Sequence, residues 1–313
     1  MHIVISLPAE ETEPWMALFR AALPEAQVER HEPDQPADAS APRADYVVAA
    51  YPSKTLFAEQ KSPKAVFTVS AGIGHVLRMP NLPRHVPLIR VEDAGMAPQM
   101  IRYVLTAGMR FVQRLDTYRR QQRDAQWAQH PPRAPAQVTA GVMGLGVIGA
   151  AIARALAAQH FAVRGHARTR KRIEGVRCHA GDAELGAFLD GLDLLVSVLP
   201  STPATTGVLN RATMTRLADG AHLVNIGRGD ALVEEDLLAL LDSGKLSGAT
   251  LDVFRKEPLP PEHPFWKRPE ITVTPHTSGL TIPDETVAQV AAKIRRLERG
   301  EPVTGVVDYA RGY

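Results

Sequence analysis

The stretch that decides the fold is GVMGLGVIGAAIARALAAQHF, residues 141–161. It opens with an apolar run that favours a buried strand, and it closes with an alanine-rich run that favours a helix. Between them, Gly144, Gly146 and Gly149 form a G-x-G-x-x-G pattern. There the first glycine permits a tight turn, the second lets the backbone approach a pyrophosphate, and the third lets the helix pack on the strand. The pattern therefore predicts a dinucleotide-binding loop with the phosphates at the helix N-terminus.

The end of the next predicted strand bears on the choice of dinucleotide. In such folds an acid about 20 residues after the glycines binds the ribose 2′-hydroxyl of NAD. Here Ala167 stands at that distance, and Arg168, Thr169 and Arg170 follow it. Arginines can hold a 2′-phosphate through charge-assisted hydrogen bonds, whereas an acid would repel it. A solvated turn is the alternative, but beside the glycine loop the run predicts NADP rather than NAD.

Outside this unit, short apolar runs alternate with helical stretches, which indicates an α/β protein with parallel sheets. We predict strands over residues 3–8, 45–50, 65–72, near 87–92, and over 138–143, 161–165, 193–200, 221–226, 248–254 and 271–276. We predict helices over 12–22 and 283–299, and one long helix that begins at Pro98 and extends past Leu115. The proline-rich run at 130–137 reads as a linker between two domains.

The composition narrows the class of protein. With 313 residues, of which 45% are hydrophobic and 22% charged, the chain fits a globular protein of two domains. A formal net charge of +2 without a polybasic tail favours neither nucleic acid nor a membrane surface as a partner. The single cysteine, Cys178, excludes a disulfide framework and a cysteine-based metal site, and it favours the reducing cytoplasm. We expect no metal centre, no signal peptide and no membrane span.

Three charged or titratable side chains follow three successive predicted strands in the second half. Arg228 stands between two glycines, Glu257 follows the next strand, and His276 follows the third. Ligands of an open α/β sheet bind beyond the carboxyl ends of its strands, so all three should lie beside the cofactor. Singly, each has an ordinary alternative as a structural histidine or a surface charge. Together they predict a catalytic cluster.

At this point the chain resembles a known family, the D-isomer-specific 2-hydroxyacid dehydrogenases. The glycine loop and the blocks NIGRG (225–229), LDVFRKEPLP (251–260) and TPH (274–276) match that family in order and spacing. The resemblance is stronger to its glyoxylate/hydroxypyruvate reductase A branch. That branch is indicated by PKAVFTVSAG (63–72), EDAGMAPQM (92–100), RTRK (168–171), LDSGK (241–245) and VVDYARGY (306–313).

The resemblance implies two flavodoxin/Rossmann-like domains with parallel sheets. The cofactor domain, residues 99–280, would be inserted in a substrate domain made of residues 1–98 and 281–313. It also implies a homodimer, in which the apolar helix from Pro98 would be a shared surface. The implied activity is NADPH-dependent reduction of small 2-keto acids, such as glyoxylate or hydroxypyruvate, to D-2-hydroxy acids; NAD stays a possible cofactor.

The resemblance also implies the roles of the site residues. Arg228 would pair with the substrate carboxylate and polarise the keto oxygen, while His276 would donate the proton. Glu257 would orient the imidazole and favour its cationic form. The expected cofactor contacts are Gly144, Leu145, Gly146, Val147, Ile148, Gly149, Arg168, Thr169, Arg170, Leu199, Pro200, Thr205, Ile226, Gly227, Arg228, Asp252, His276 and Ser278. The expected substrate contacts are Ala71, Gly72, Ile73, Arg228 and His276, with Tyr51 as a pocket candidate that could equally be a core or rim residue.

One departure and two alternatives accompany this interpretation. The family's substrate loop commonly reads G-x-G-x-D, and no aspartate follows Gly72 and Gly74 here, although the glycine backbone can still approach a carboxylate. An NAD-dependent biosynthetic dehydrogenase is the alternative enzyme, and Ala167 with the neighbouring arginines disfavours it. A nucleotide-sensing, corepressor-like binding protein is the alternative outside enzymes; such proteins keep the charged trio but carry extra terminal segments.

Overall fold

Strands and helices alternate along the chain in a computed structural model that describes residues 1–32, 40, 42–50, 52–70, 72–79 and 81–310. The strands are β1 (His2–Ser6), β2 (Gln27–Arg30), β3 (Tyr46–Ala49), β4 (Ala65–Thr68), β5 (Leu88–Arg90), β6 (Thr139–Met143), β7 (Ala162–Ala167), β8 (Val176–Ala180), β9 (Leu194–Ser197), β10 (Ala221–Asn225), β11 (Leu246–Leu251) and β12 (Ile271–Val273). The helices are α1 (Ala9–Ala22), α2 (Leu56–Glu59), α3 (Gly74–Leu77), α4 (Met96–Val112), α5 (Leu115–Arg123), α6 (Val147–Ala158), α7 (Leu185–Leu189), α8 (Arg211–Met214), α9 (Glu234–Asp242) and α10 (Pro283–Glu298). The predicted α/β class is confirmed.

The first of two compact units comprises Met1–Gly95 and Thr281–Tyr313. Its five strands are parallel and have the order β2-β1-β3-β4-β5. Every residue of β3 and β4 is buried, as expected for strands with helices on both faces of a sheet. The last helix belongs to this unit, because the hydroxyl of the buried Tyr46 in β3 donates to Glu298 in α10 at 2.6 Å.

The second unit, Met96–Leu280, contains a seven-stranded parallel sheet with the order β12-β11-β10-β9-β6-β7-β8. The chain runs outward from β6 to β8, then returns and runs outward the other way from β9 to β12. This reversal places a topological switch point between β6 and β9, which pair in parallel with Met143 opposite Ser197. Loops leave in opposite directions at a switch point, so a crevice opens at the carboxyl ends of these two strands.

The long helix predicted from Pro98 differs from the structure in its extent. Helix α4 begins earlier, at Met96, and ends at Val112, and a separate helix α5 follows. Arg114 separates them because its φ of 54° is left-handed, and a right-handed helix cannot continue through it. Inside α4, a Cβ at Gly108 would lie 3.4 Å from both Phe161 and Leu194, which is ordinary van der Waals contact, so the helix lies close to these two side chains.

Two edge strands were not predicted. Strand β2, QVER, and strand β8, VRCHA, are too polar to register as apolar runs, yet each pairs in parallel with one neighbour at the edge of its sheet. Strand edges tolerate polar and charged residues because one side stays in water. In the part of the chain that the structure describes, no helix combines the length and the apolar character needed to cross a membrane.

Candidate active site

The glycine loop joins β6 to α6 at the switch point. Gly144 has a φ of 103°, and a Cβ there would lie 2.8 Å from the Val198 carbonyl oxygen. A Cβ at Gly149 would lie 1.8 Å from the Gly144 carbonyl oxygen, so α6 packs directly against the loop. A Cβ at Gly146 would instead meet nothing within 4 Å. Packing therefore requires glycine at positions 144 and 149, whereas Gly146 faces open space.

That open space suits a dinucleotide phosphate. Gly146 is the N-cap of α6 and provides no side-chain cap, so the N–H groups of the first helical turn have no intrahelical partner. A helix N-terminus carries a partial positive charge, which favours an anion. Gly144, Leu145, Gly146, Val147, Ile148 and Gly149 thus form a loop whose shape and charge fit the pyrophosphate of a nicotinamide dinucleotide.

The predicted 2′-phosphate residues follow β7, where Arg168, Thr169 and Arg170 are exposed. The Arg170 guanidinium donates to the Cys178 carbonyl at 2.8 Å and forms an ion pair with Glu184. Arg170 holds the pKa of the Glu184 carboxyl below its usual range. Sequence reasoning missed these partners, which hold the Arg170 guanidinium beside β8.

The predicted acid–base pair is formed. His276 Nδ1 lies 2.7 Å from Glu257 Oε2, and the other Glu257 oxygen accepts from the Phe254 N–H at 2.9 Å. The carboxylate is thus fixed at both oxygens and orients the imidazole ring. The side chains of His276 and Glu257 are 44% and 35% exposed, so a small molecule can reach them. Within the described residues Nε2 has no hydrogen-bond partner, which makes it the nitrogen available to a substrate.

Arg228 is half-buried in the loop after β10. Asn225, fully buried, donates to the Arg228 carbonyl at 3.1 Å and accepts from the Gly227 N–H at 3.3 Å, so its side chain closes the loop. A Cβ at Gly227 would lie 2.6 Å from the Leu199 nitrogen, and one at Gly229 only 1.9 Å from the Phe254 carbonyl carbon. Sequence reasoning missed Asn225, although an Asn two residues before a turn glycine is a recognisable local signal.

Asp252 and Ser278, expected as cofactor contacts, have internal partners. Asp252 is fully buried and Ser278 is 3% exposed. One Asp252 oxygen accepts from the Thr274 hydroxyl and the Thr277 N–H, at 2.6 and 2.8 Å, and the other accepts from the Ser278 N–H at 2.9 Å. The carboxylate therefore organises the turn that carries His276.

The remaining expected contacts divide between the two units. Leu199, Pro200 and Thr205 follow β9, where the Thr205 hydroxyl donates to the Pro200 carbonyl at 2.6 Å, and Ile226 follows β10. In the first unit, Gly72 is half-buried and accepts from the Ser70 hydroxyl at 2.8 Å, while the Ile73 side chain is buried in the core. Ala71 and Tyr51 lie outside the described residues. Among the residues that are described, no cluster of His, Cys, Asp and Glu suits a metal ion.

Comparison with known proteins gives concordant matches. The family model described as "D-isomer specific 2-hydroxyacid dehydrogenase, NAD binding domain" matches residues 105–278. A glyoxylate/hydroxypyruvate reductase A from Serratia proteamaculans is 41% identical over 320 residues, covering 100% of both chains. A D-isomer specific 2-hydroxyacid dehydrogenase from Xanthobacter autotrophicus Py2, crystallised with NADPH and MES, superposes with a TM-score of 0.92 at 36% identity and covers 99% of each chain. An NADPH-dependent glyoxylate/hydroxypyruvate reductase from Sinorhizobium meliloti, with NADP and sulfate, gives a TM-score of 0.90 at 36% identity, over 100% of this chain and 99% of that one.

Proposed function

The chain belongs to the D-isomer specific 2-hydroxyacid dehydrogenase family, and on that premise we propose that it reduces small 2-keto acids to D-2-hydroxy acids with NADPH. The keto acids are of the glyoxylate and hydroxypyruvate class, as in the names of its relatives. The observation that carries the proposal is the 2.7 Å contact of His276 with Glu257 at the same sheet edge as the glycine loop.

Each residue of the trio contributes one step. Bound NADPH supplies the hydride that reduces the keto carbon. His276 donates its Nε2 proton to the keto oxygen, so that the carbonyl becomes a hydroxyl and the ring becomes neutral until water returns the proton. Glu257 holds the ring and stabilises its cationic form. Arg228 pairs its guanidinium with the substrate carboxylate and stabilises negative charge on the keto oxygen.

NADPH preference is supported by two features. Residue 167 is an alanine, so it does not repel a 2′-phosphate at the end of β7, and Arg168 and Arg170 follow as candidate partners of that phosphate. In addition, the Xanthobacter and Sinorhizobium structures contain NADPH or NADP. The formal net charge of +2 and the single cysteine support a cytoplasmic enzyme that acts on small molecules rather than on nucleic acid.

We further propose a homodimer that covers one face of the second unit, formed by α4, α5 and the segment after them. Leu115 at the start of α5 is 49% exposed, and Trp127 in the segment after α5 is 98% exposed. A groove of about 510 Å³ is lined in part by Leu105, Met109 and Leu115. Exposed apolar area of this kind marks a protein interface. Sedimentation should give a dimer, and Leu115→Asp should shift it towards monomer; a monomeric wild type would contradict the proposal.

The test of the activity is a panel of 2-keto acids assayed with NADPH and NADH side by side. Turnover is expected with glyoxylate and hydroxypyruvate, with a higher kcat/KM for NADPH than for NADH. A higher kcat/KM with NADH would favour the NAD-dependent alternative. Tight nucleotide binding without turnover of any keto acid would instead indicate a nucleotide-sensing binding protein.

A further inference from the structure

The turn that carries His276 is held in a conformation that L-residues rarely adopt. His276 has a φ of 54°, which persists only where the surroundings hold it. Three successive backbone N–H groups converge on one residue: His276 donates to the Asp252 carbonyl at 3.0 Å, and Thr277 and Ser278 donate to its carboxylate. Asp252 therefore determines where the imidazole is presented.

Asp252 itself requires compensation, because a fully buried carboxylate is stable only when its oxygens are well supplied with donors. No basic side chain within the described residues forms an ion pair with it. Besides the two backbone N–H groups, its donor is the Thr274 hydroxyl at 2.6 Å. The position of the Asp252 carboxylate thus depends on Thr274.

The chemistry of the groups fixes the direction of the next hydrogen bond. The Tyr103 hydroxyl lies 2.6 Å from Thr274 Oγ1. An ionised carboxylate only accepts, so Thr274 must donate to Asp252, and the Tyr103 hydroxyl must therefore donate to Thr274. A hydroxyl that accepts one hydrogen bond is polarised into a better donor for another. Tyr103 in α4 is thereby linked to the turn after β12.

Tyr103 is suited to remain a donor. Its burial, together with the nearby Asp252 charge, raises the pKa of Tyr103 to about 12, so the phenol keeps its proton throughout the range in which enzymes work. The residue lies on a helix of 17 residues that packs on the sheet, whereas the turn it reaches is a loop. Helix α4 thus supports the strained turn at His276.

We propose that Tyr103 is a positioning residue for proton transfer: through Thr274 and Asp252, its hydroxyl holds the turn that presents His276. This inference rests on the proposed function, since it assigns His276 the role of acid. Loss of the Tyr103 hydroxyl should loosen the His276 turn and lower kcat. It should leave KM for the keto acid and the affinity for NADPH within about twofold, because neither ligand loses a partner of its own.

The test is a double-mutant cycle in the full-length protein. Tyr103→Phe should lower kcat about threefold to tenfold, the range expected for one neutral hydrogen bond. Thr274→Val should cost more, Thr274→Ser should restore most of the activity, and the Tyr103→Phe/Thr274→Val double variant should be no slower than Thr274→Val alone. Tyr309→Phe, which removes a hydroxyl that donates to the Val86 carbonyl, is the matched control and should leave kcat unchanged.

Amide hydrogen exchange supplies a readout that does not require turnover. Exchange at Thr277 and Ser278 should be faster in Tyr103→Phe than in wild type or Tyr309→Phe. Additive losses in the cycle, an effect on KM alone, or unchanged exchange in Tyr103→Phe would overturn the inference. If wild-type protein turns over no keto acid but exchange changes as expected, the proposed function fails while the hydrogen-bonded link from Tyr103 to the turn stands.

Discussion

Replacing Glu257 by Gln removes one charge from the His276 pair while keeping the size of the side chain. The two groups are 2.7 Å apart, with charge centres roughly 4 Å apart, where opposite unit charges attract by about 1 kcal/mol in water and about 4 kcal/mol near a protein surface. Because the side chains are 44% and 35% exposed, the lower half of that range applies. A loss of about 1–2 kcal/mol of stabilisation of the imidazolium that acts as the acid corresponds to roughly a fivefold to thirtyfold loss of rate.

The sign follows from the direction of the reaction. Reduction uses the imidazolium as acid, so in Glu257→Gln kcat/KM for the keto acid should fall roughly fivefold to thirtyfold at a fixed pH.

The assay is kcat/KM for the keto acid, measured at a fixed pH for wild type, Glu257→Gln and Glu262→Gln. Glu262 is an exposed carboxylate on the same segment, so its substitution controls for a general change in charge. The reasoning would be refuted if Glu257→Gln were folded and as active as wild type, or if Glu262→Gln lost activity to the same extent.

Three further changes test other parts of the site and the fold. Replacing Arg168 and Arg170 together by Ala should raise the NADPH KM roughly tenfold or more and leave the NADH KM nearly unchanged; equal increases for the two cofactors would remove the assignment. Arg228→Lys keeps the charge but loses the planar fork, so kcat/KM should fall at least about tenfold while NADPH binding, followed by fluorescence titration, survives; near-normal kcat/KM would contradict the carboxylate role. Burial lowers the pKa of His222 to about 4, so its contribution to stability is intact above about pH 6.5 and is lost as pH falls towards 4. Denaturant unfolding should therefore show wild type losing roughly 3 kcal/mol more than His222→Gln between those pH values, and parallel losses would argue against a neutral buried imidazole.

The sequence predicted those parts of the molecule whose chemistry is local. Gly144, Gly146 and Gly149 follow a predicted strand and open a predicted helix, so their spacing in that context indicated a phosphate loop. The approach of His276 to Glu257 was expected because parallel strands end at one edge of a sheet.

Contacts between segments that are distant in the sequence could not be predicted from local patterns of this kind. Tyr103 and Thr274 are separated by 171 positions, and nothing in either segment signals the other. The ion pair of Arg170 with Glu184 was not predicted, because Glu184 lies beyond a polar edge strand that was itself missed. Asp252 was expected as a cofactor contact from the family resemblance, and the depth at which it is buried depends on tertiary packing.

The glycines beside Arg228 limit how this enzyme can be redesigned. A side chain at Gly227 would collide with the backbone of Leu199, and a side chain at Gly229 would collide with the backbone of Phe254. A substitution at either glycine would therefore require the neighbouring loop to shift. Saturation libraries at positions 227 and 229 should accordingly return almost no functional clones. Substitutions that change the range of substrates will be found more readily at side chains that face open space. A protein evolved in the laboratory under selection should keep both glycines after their neighbouring residues have been replaced.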